Sequence, residues 1–266
     1  MNQDGYYNPE LAVDIYAVDE YQMNAYVARV FGWMFFGLLV TTLTTAGIVF
    51  GIYQSAAFAE FIASALNLIL LVFVFEFIIV GYLSVRVHQM HPTTAKVLYT
   101  LYAMLNGFTF GLLVFILGQY YIGMATIGIA FGISAASFGI MAMYGLTTRR
   151  DLTRFGNLLF MGLFGVLIAG VATWFMRSTF LDFVVMAGGL VIFLGLVAYH
   201  TFRIKNCYAQ VVLNGSNPDG SLTWEEEAFA SNLAIHGALS LYLAFINIFL
   251  RVIMILARMK GGGGRR

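Results

Sequence analysis

Of the 266 residues in this chain, 61% are hydrophobic and only 10% are charged, whereas a soluble domain carries about 25% charged residues. That balance excludes an ordinary soluble domain and describes an integral membrane protein. The net charge of +1 gives no reason to expect nucleic acid as a partner, and the single cysteine, Cys207, excludes an intrachain disulfide and a cysteine-rich metal site.

Residues 1–27 are polar and acidic, with Asp4, Glu10, Asp14, Asp19 and Glu20 among several tyrosines. A secretory signal starts basic and turns apolar quickly, so this stretch reads as a polar tail instead, with Tyr21 and Tyr26 placed to meet the membrane interface. Seven apolar runs follow, at 30–53, 66–86, 96–118, 121–145, 156–176, 181–202 and 228–257. Each is near the roughly 20 residues that a spanning helix needs. The prolines, Pro9, Pro92 and Pro218, all lie outside these runs. The longest loop, Phe202 to Glu227, holds the turn-forming stretch Asn214 to Gly220 and then Glu225, Glu226 and Glu227. The expected architecture is one all-α bundle of seven transmembrane helices over residues 28–258, followed by a flexible, basic, glycine-rich tail over 259–266.

Basic residues set the expected orientation. Arg86 and Lys96 flank the second loop, Arg149, Arg150 and Arg154 fill the fourth, and Arg203 and Lys205 open the sixth, while the first and third loops have no Lys or Arg. The even loops and the N-terminus are therefore expected in the cytoplasm, and seven crossings place the C-terminus outside despite its own Arg258 and Lys260. Small residues at four-residue spacing let membrane helices approach closely. Ala103, Gly107 and Gly111 form such a row in the third run, and Gly128, Gly132, Ala136 and Gly139 form one in the fourth. With a link of only Gly118 to Tyr120 or so, the two rows predict a tight hairpin with Gly107 and Gly132 facing neighbouring helices.

In the seventh run, Asn232, His236, Ser240, Asn247 and Arg251 fall four, four, seven and four residues apart. At about 3.6 residues per turn they draw one polar stripe down one side of a helix. Such a stripe is costly in lipid, so this helix is expected to be central, with its stripe facing protein or a wet cavity. The stripe has a gap at Ala244.

Few other residues suggest chemistry. Glu76 sits within the second run, where a carboxylate is costly unless paired, protonated or wet; it marks an ion or proton pathway, or a protonated acid that ties the bundle together. His200, near the end of the sixth run, is a titratable group or an interfacial side chain reaching headgroups. His236 belongs to the stripe, as a titratable group or an interhelical hydrogen bond. His88 and His91 precede Pro92 without a carboxylate or cysteine nearby, and read as a solvated loop. No H-E-x-x-H, G-x-S-x-G or G-x-x-x-x-G-K motif occurs, so no enzymatic activity is expected, and no cofactor.

Three stretches carry a family resemblance: Ser137-Phe138-Gly139-Ile140-Met141-Ala142-Met143-Tyr144-Gly145-Leu146-Thr147-Thr148-Arg149-Arg150-Asp151-Leu152, Tyr199-His200-Thr201-Phe202-Arg203-Ile204-Lys205, and Gly237 through Leu250 with its Tyr242-Leu243-Ala244-Phe245-Ile246-Asn247. Together they resemble the Bax inhibitor-1 family of membrane proteins, most of all its bacterial branch, from about Arg29 to Arg258. The resemblance implies a seven-helix bundle with the last helix central, in a bacterial inner membrane, acting as a pH-sensitive calcium leak with calcium as the transported ion. It also implies, for some bacterial members, association with a membrane-bound AAA protease, so the expected partners are the bilayer and such a protease. The family senses pH with two aspartates bonded to an arginine at the end of the second span. Arg86 falls at about the place of that arginine, and Glu76 matches a family glutamate, but His200 and Ala244 stand where the aspartates would be. A histidine facing an alanine has no proton to share as two carboxylates do. The residues implicated in an ion path or its gating are thus Glu76, Arg86, His200, Ala244, His236 and Asn247.

Overall fold

The computed structural model describes residues 20–64, 69–120, 122–148, 150–176, 179–213 and 223–262. Hydrocarbon offers the backbone no hydrogen bonds, so long apolar runs close their own as helices. Seven helices are long and apolar enough to span a membrane. They are α1 (Glu20–Gln54), α3 (Ile69–Arg86), α4 (Pro92–Tyr120), α5 (Met124–Thr147), α6 (Thr153–Met176), α7 (Thr179–Leu213) and α8 (Trp224–Gly262). A short α2 (Ala56–Ser64) lies between the first two, and a 3-10 turn (Val87–Gln89) follows α3. No strand occurs among the described residues. Each of the seven expected runs falls on one of these helices.

The boundaries differ from the apolar runs where local chemistry extends a helix. α1 starts at Glu20, inside the stretch read as a tail, because Met23, Tyr26, Val30 and Met34 already form a helical stripe and are buried. Tyr26 is therefore a core residue, stacked on Tyr208 of α7 with ring centroids 4.3 Å apart. Residues 1–19 lie outside the described residues. α2 occupies the first loop, where the Ser55 hydroxyl accepts the Phe58 N–H at 3.2 Å and caps the helix. α7 runs on to Leu213, and the turn Asn214 to Gly220 lies outside the described residues. α8 begins ahead of its apolar run because Thr223 and Glu226 form a capping box: the Thr223 N–H donates to Glu226 at 2.8 Å, and the Glu226 N–H donates to the Thr223 hydroxyl at 3.3 Å.

α8 packs on α7, α1, α5, α4 and the 3-10 turn, while α6 packs on α7 and α3 packs on α4. The most apolar window of α8 is 56% buried, more than that of any other span, whereas the α6 window is 6% buried and faces lipid. At its far end α8 is tied to the odd loops: Lys260 Nζ donates to the Ile122 carbonyl at 3.1 Å, and Arg258 pairs with Asp182 at 2.6 Å. That end lies opposite the even loops, so α8 runs the full depth of the bundle.

The small-residue rows correct the expected hairpin. A Cβ on Gly107 would stand 2.6 Å from Thr44 Cβ and 2.7 Å from the Thr41 carbonyl, and one on Gly111 would stand 2.8 Å from Ile48 Cβ. The row on α4 is thus closed against α1, not α5. A Cβ on Gly128, Gly132 or Gly139 would meet nothing within 4 Å. The inward row of α5 is Ala130, Ser134, Phe138 and Ala142, two positions out of register with the glycines. Gly107→Leu is expected to cost about 1–3 kcal/mol through overpacking, while Gly132→Leu leaves stability unchanged. Thermal unfolding of both variants in detergent micelles tests this, and an equal loss in the two would show that the α4–α1 contact is not the tight one.

Candidate functional site

The polar stripe of α8 finds its partners one by one. Asn232 Nδ2 donates to the Met90 carbonyl between α3 and α4 at 2.7 Å. The His236 ring lies 5.3 Å from the His88 ring, centroid to centroid, and His88 also lies against Phe229. His88, read from the sequence as part of a solvated loop, is therefore a contact of the last helix. Ser240 bonds back to the His236 carbonyl at 3.0 Å, and Asn247 to the Leu243 carbonyl at 2.8 Å. Arg251 donates to the Val185 carbonyl at 2.7 Å and sits over the Phe193 ring at 5.9 Å. Beside the stripe, the Tyr242 hydroxyl lies 2.7 Å from the Thr41 hydroxyl, which also donates to the Gly37 and Ala103 carbonyls, tying α8 to α1 and α4.

Two chambers lie along this helix. The smaller, of about 50 Å³, is lined by Tyr26, His88, His200, Arg203, His236 and Ser240. The larger, of about 440 Å³, is lined by Glu76, Tyr102, Asn106, His200, Ser240, Ala244 and Asn247. His200 and Ser240 line both, so the chambers lie on either side of these two side chains. Along α8 the lining runs from Leu233 to Asn247, about 21 Å at 1.5 Å per residue. Past Asn247 the interior is closed: Phe249 is stacked on Phe110 at 6.0 Å, and Val252 and Ile253 are buried.

The chambers differ in charge. Glu76, 7% exposed, is the one acid lining the larger chamber among the described residues. Its Oε1 accepts the Thr109 hydroxyl of α4 at 2.6 Å. No carboxylate lines the smaller chamber among the described residues. There three imidazoles and one guanidinium converge, together with the hydroxyl of Tyr26, which is buried and has no hydrogen-bond partner. No group of three or more His, Cys, Asp or Glu is placed to hold a metal ion among the described residues. The smaller chamber can therefore donate hydrogen bonds to an anionic oxygen, and the larger offers one carboxyl in an otherwise apolar wall.

Of the residues picked from the sequence, Glu76, His200, Ala244 and Asn247 come together in the larger chamber, and His236 joins His200 in the smaller. Arg86 does not join them. It is exposed and lines neither chamber, and Glu76 is bonded to Thr109 instead. The cation of the site is Arg203. Sequence reasoning missed Arg203, Tyr26 and Asn106. Asn106 was findable, as a lone amide inside an apolar run.

The family model for "Inhibitor of apoptosis-promoting Bax1" matches residues 23–261, from the buried Met23 to the last turn of α8. The chain belongs to the Bax inhibitor-1 family. Its relatives within that family include the inner membrane protein YbhL of Escherichia coli (strain K12), 32% identical over 90% of this chain and 93% of that protein. An uncharacterized protein of Borreliella burgdorferi is 32% identical over 89% of this chain and 93% of its own length. The uncharacterized protein RP147 of Rickettsia prowazekii is 31% identical over 90% and 91%. The Bax inhibitor-1 match covers every helix of the bundle, so both chambers lie wholly inside the family domain.

Removing the hydroxyl that answers Glu76 strands a buried acid. Thr109→Val is expected to cost about 1–3 kcal/mol, and Thr109→Ser to recover most of it. Thermal unfolding in micelles compares them, and equal melting of the Val and Ser variants would show that the bond to Glu76 contributes nothing.

Proposed function

We propose that this protein is an ion-leak protein of a bacterial inner membrane, with calcium as the transported ion and a path that follows the two chambers. The observation that carries the reading is their adjacency: a wide chamber holding Glu76 and a polar one share His200 and Ser240 as a common wall. Together they cover about 21 Å of a hydrocarbon core roughly 30 Å thick. The aromatic packing beyond Asn247 then makes this a closed state. Glu76 is the acid that meets the cation, and His200 with Ser240 forms the narrow point. The basic even loops favour a cytoplasmic N-terminus and an outside C-terminus. A reporter fused after Lys260 is expected to report from outside; a cytoplasmic signal would refute that orientation.

Gating by a shared proton has no place here, because His200 and Ala244 supply no carboxylate pair. The imidazoles of His200 and His236 face Arg203 instead. The unmodified protein is expected to lack the family's pH response. His200→Asp combined with Ala244→Asp is expected to introduce a dependence on pH between about 6 and 8, a window that brackets free histidine. Calcium flux into liposomes measures it. Pronounced pH-dependent flux in the unmodified protein, kept intact in His200→Ala, would place the sensor elsewhere.

A second reading is a non-conducting modulator that binds a membrane-bound AAA protease or another membrane complex. The cationic smaller chamber favours it, since calcium sites are built from carboxylate and carbonyl oxygens. Zero calcium flux at every pH, for the parent and the double-aspartate variant alike, would select it.

A further inference from the structure

The two chambers differ in chemistry in a way that a simple ion path does not require. The smaller one has only donors and neutral groups: the imidazoles of His88, His200 and His236, the guanidinium of Arg203, and the hydroxyls of Tyr26 and Ser240. A neutral imidazole still donates from one nitrogen, and a guanidinium donates from all of its N–H groups. The Tyr26 hydroxyl is the sharpest observation. Tyr26 is 3% exposed, and its oxygen has no hydrogen-bond partner. A buried polar atom left unpaired points to a missing group. The group that answers Tyr26 accepts a hydrogen bond, and the exposed guanidinium of Arg203, with no carboxylate in the lining among the described residues, favours a negatively charged one.

The larger chamber begins where the smaller one ends, at His200 and Ser240. Its walls are mostly apolar, with Leu163, Leu196 and Leu243 among them. Phe77 and Leu167, which are 74% and 55% exposed, also line it. They stand on α3 and α6, which pack on α4 and α7 respectively, so this side of the chamber faces lipid. The joint length of about 21 Å exceeds one leaflet's share of the hydrocarbon, about 15 Å. The excess leaves room for a headgroup in the smaller chamber. Glu76 stands about 18 Å along α3 from His88, beside the far end of such a chain, where its carboxyl is already bonded to Thr109.

We infer that the paired chambers bind a single-chain anionic amphiphile, a long-chain fatty carboxylate, with its carboxylate held by Tyr26, Arg203 and the three histidines and its acyl chain lying along the larger chamber. The chain enters sideways from the bilayer between α3 and α6. A carboxylate offers about four acceptor sites, which the donors of the smaller chamber can fill. The inference rests on cavity chemistry and stands whether or not the protein conducts. If it does conduct, the bound chain fills the path and blocks it.

The test is equilibrium binding of radiolabelled oleate to the full-length protein in detergent micelles. Saturable binding is expected for the parent. Arg203→Gln with His236→Gln is expected to raise Kd about tenfold or more, since charge-assisted hydrogen bonds are worth about 1.5–3 kcal/mol. Tyr26→Phe, which removes one oxygen from the core, gives a smaller rise. Val80→Trp fills the larger chamber and abolishes binding. Thermal unfolding identifies variants that fail to fold, and Tyr26→Phe, the mildest, keeps the test open if others do. Uncharged oleyl alcohol is expected to compete poorly, and so is diacyl phosphatidylglycerol. Equal binding by the double variant and the parent, or equal competition by oleyl alcohol, would overturn the anionic headgroup site. Competition by phosphatidylglycerol as strong as that by oleate would overturn the single-chain assignment.

Discussion

Hydrocarbon neither donates nor accepts hydrogen bonds, so every polar group carried into a span must find its partner within the protein. The structure is arranged around that constraint as it acts on α8. Five polar side chains on one side of this helix would each be costly against lipid. Its apolar face, from Ala234 and Ile235 to Val252 and Ile253, is buried among α7, α1, α5 and α4, while His236, Ser240, Asn247 and Arg251 are half-buried, and α6 is left on the outside. The same constraint selects the contacts: Asn232 reaches Met90, Arg251 reaches Val185, and the Tyr242 and Thr41 hydroxyls meet. Each joins α8 to a different helix or turn, so the polar groups fix its rotation as well as its depth.

The satisfaction of these groups is uneven along the bundle. Among the described residues, the buried side-chain atoms without partners are Tyr26 Oη, Thr201 Oγ1 and Asn232 Oδ1. All three stand at the end where His88, His200 and His236 converge. At the other end Lys260 and Arg258 are bonded to Thr126, Ile122 and Asp182. Unmet hydrogen-bonding capacity is therefore concentrated at one end of the molecule, beside its cavities. A purely structural bundle has no reason to keep it there, which is why the chambers, and not the well-bonded half, hold the functional interest.

His200 and Ala244 put no carboxylate at the centre of the site. Ala244 is buried and lines the larger chamber, and His200 lines both. The neighbouring cluster of three imidazoles and Arg203 presents hydrogen-bond donors.

The number of spans and the membrane cost of Glu76 were legible in the sequence, because hydrophobic length is a local property. Three kinds of fact were not. The start of α1 at Glu20 was hidden because its buried face, Met23, Tyr26, Val30 and Met34, is interrupted by exposed polar residues and makes no continuous run. The choice between glycine rows depended on rotation: Gly107 meets α1 at van der Waals distance while Gly132 points into open space, and spacing is the same in both. The makeup of the site depended on distance between spans. His88 touches His236 across 148 residues of chain, and Arg203 takes the place expected for Arg86. Periodicity tells which residues share a face of one helix, but only the packing of helices decides which faces meet, and the chemistry of this protein lies where they do.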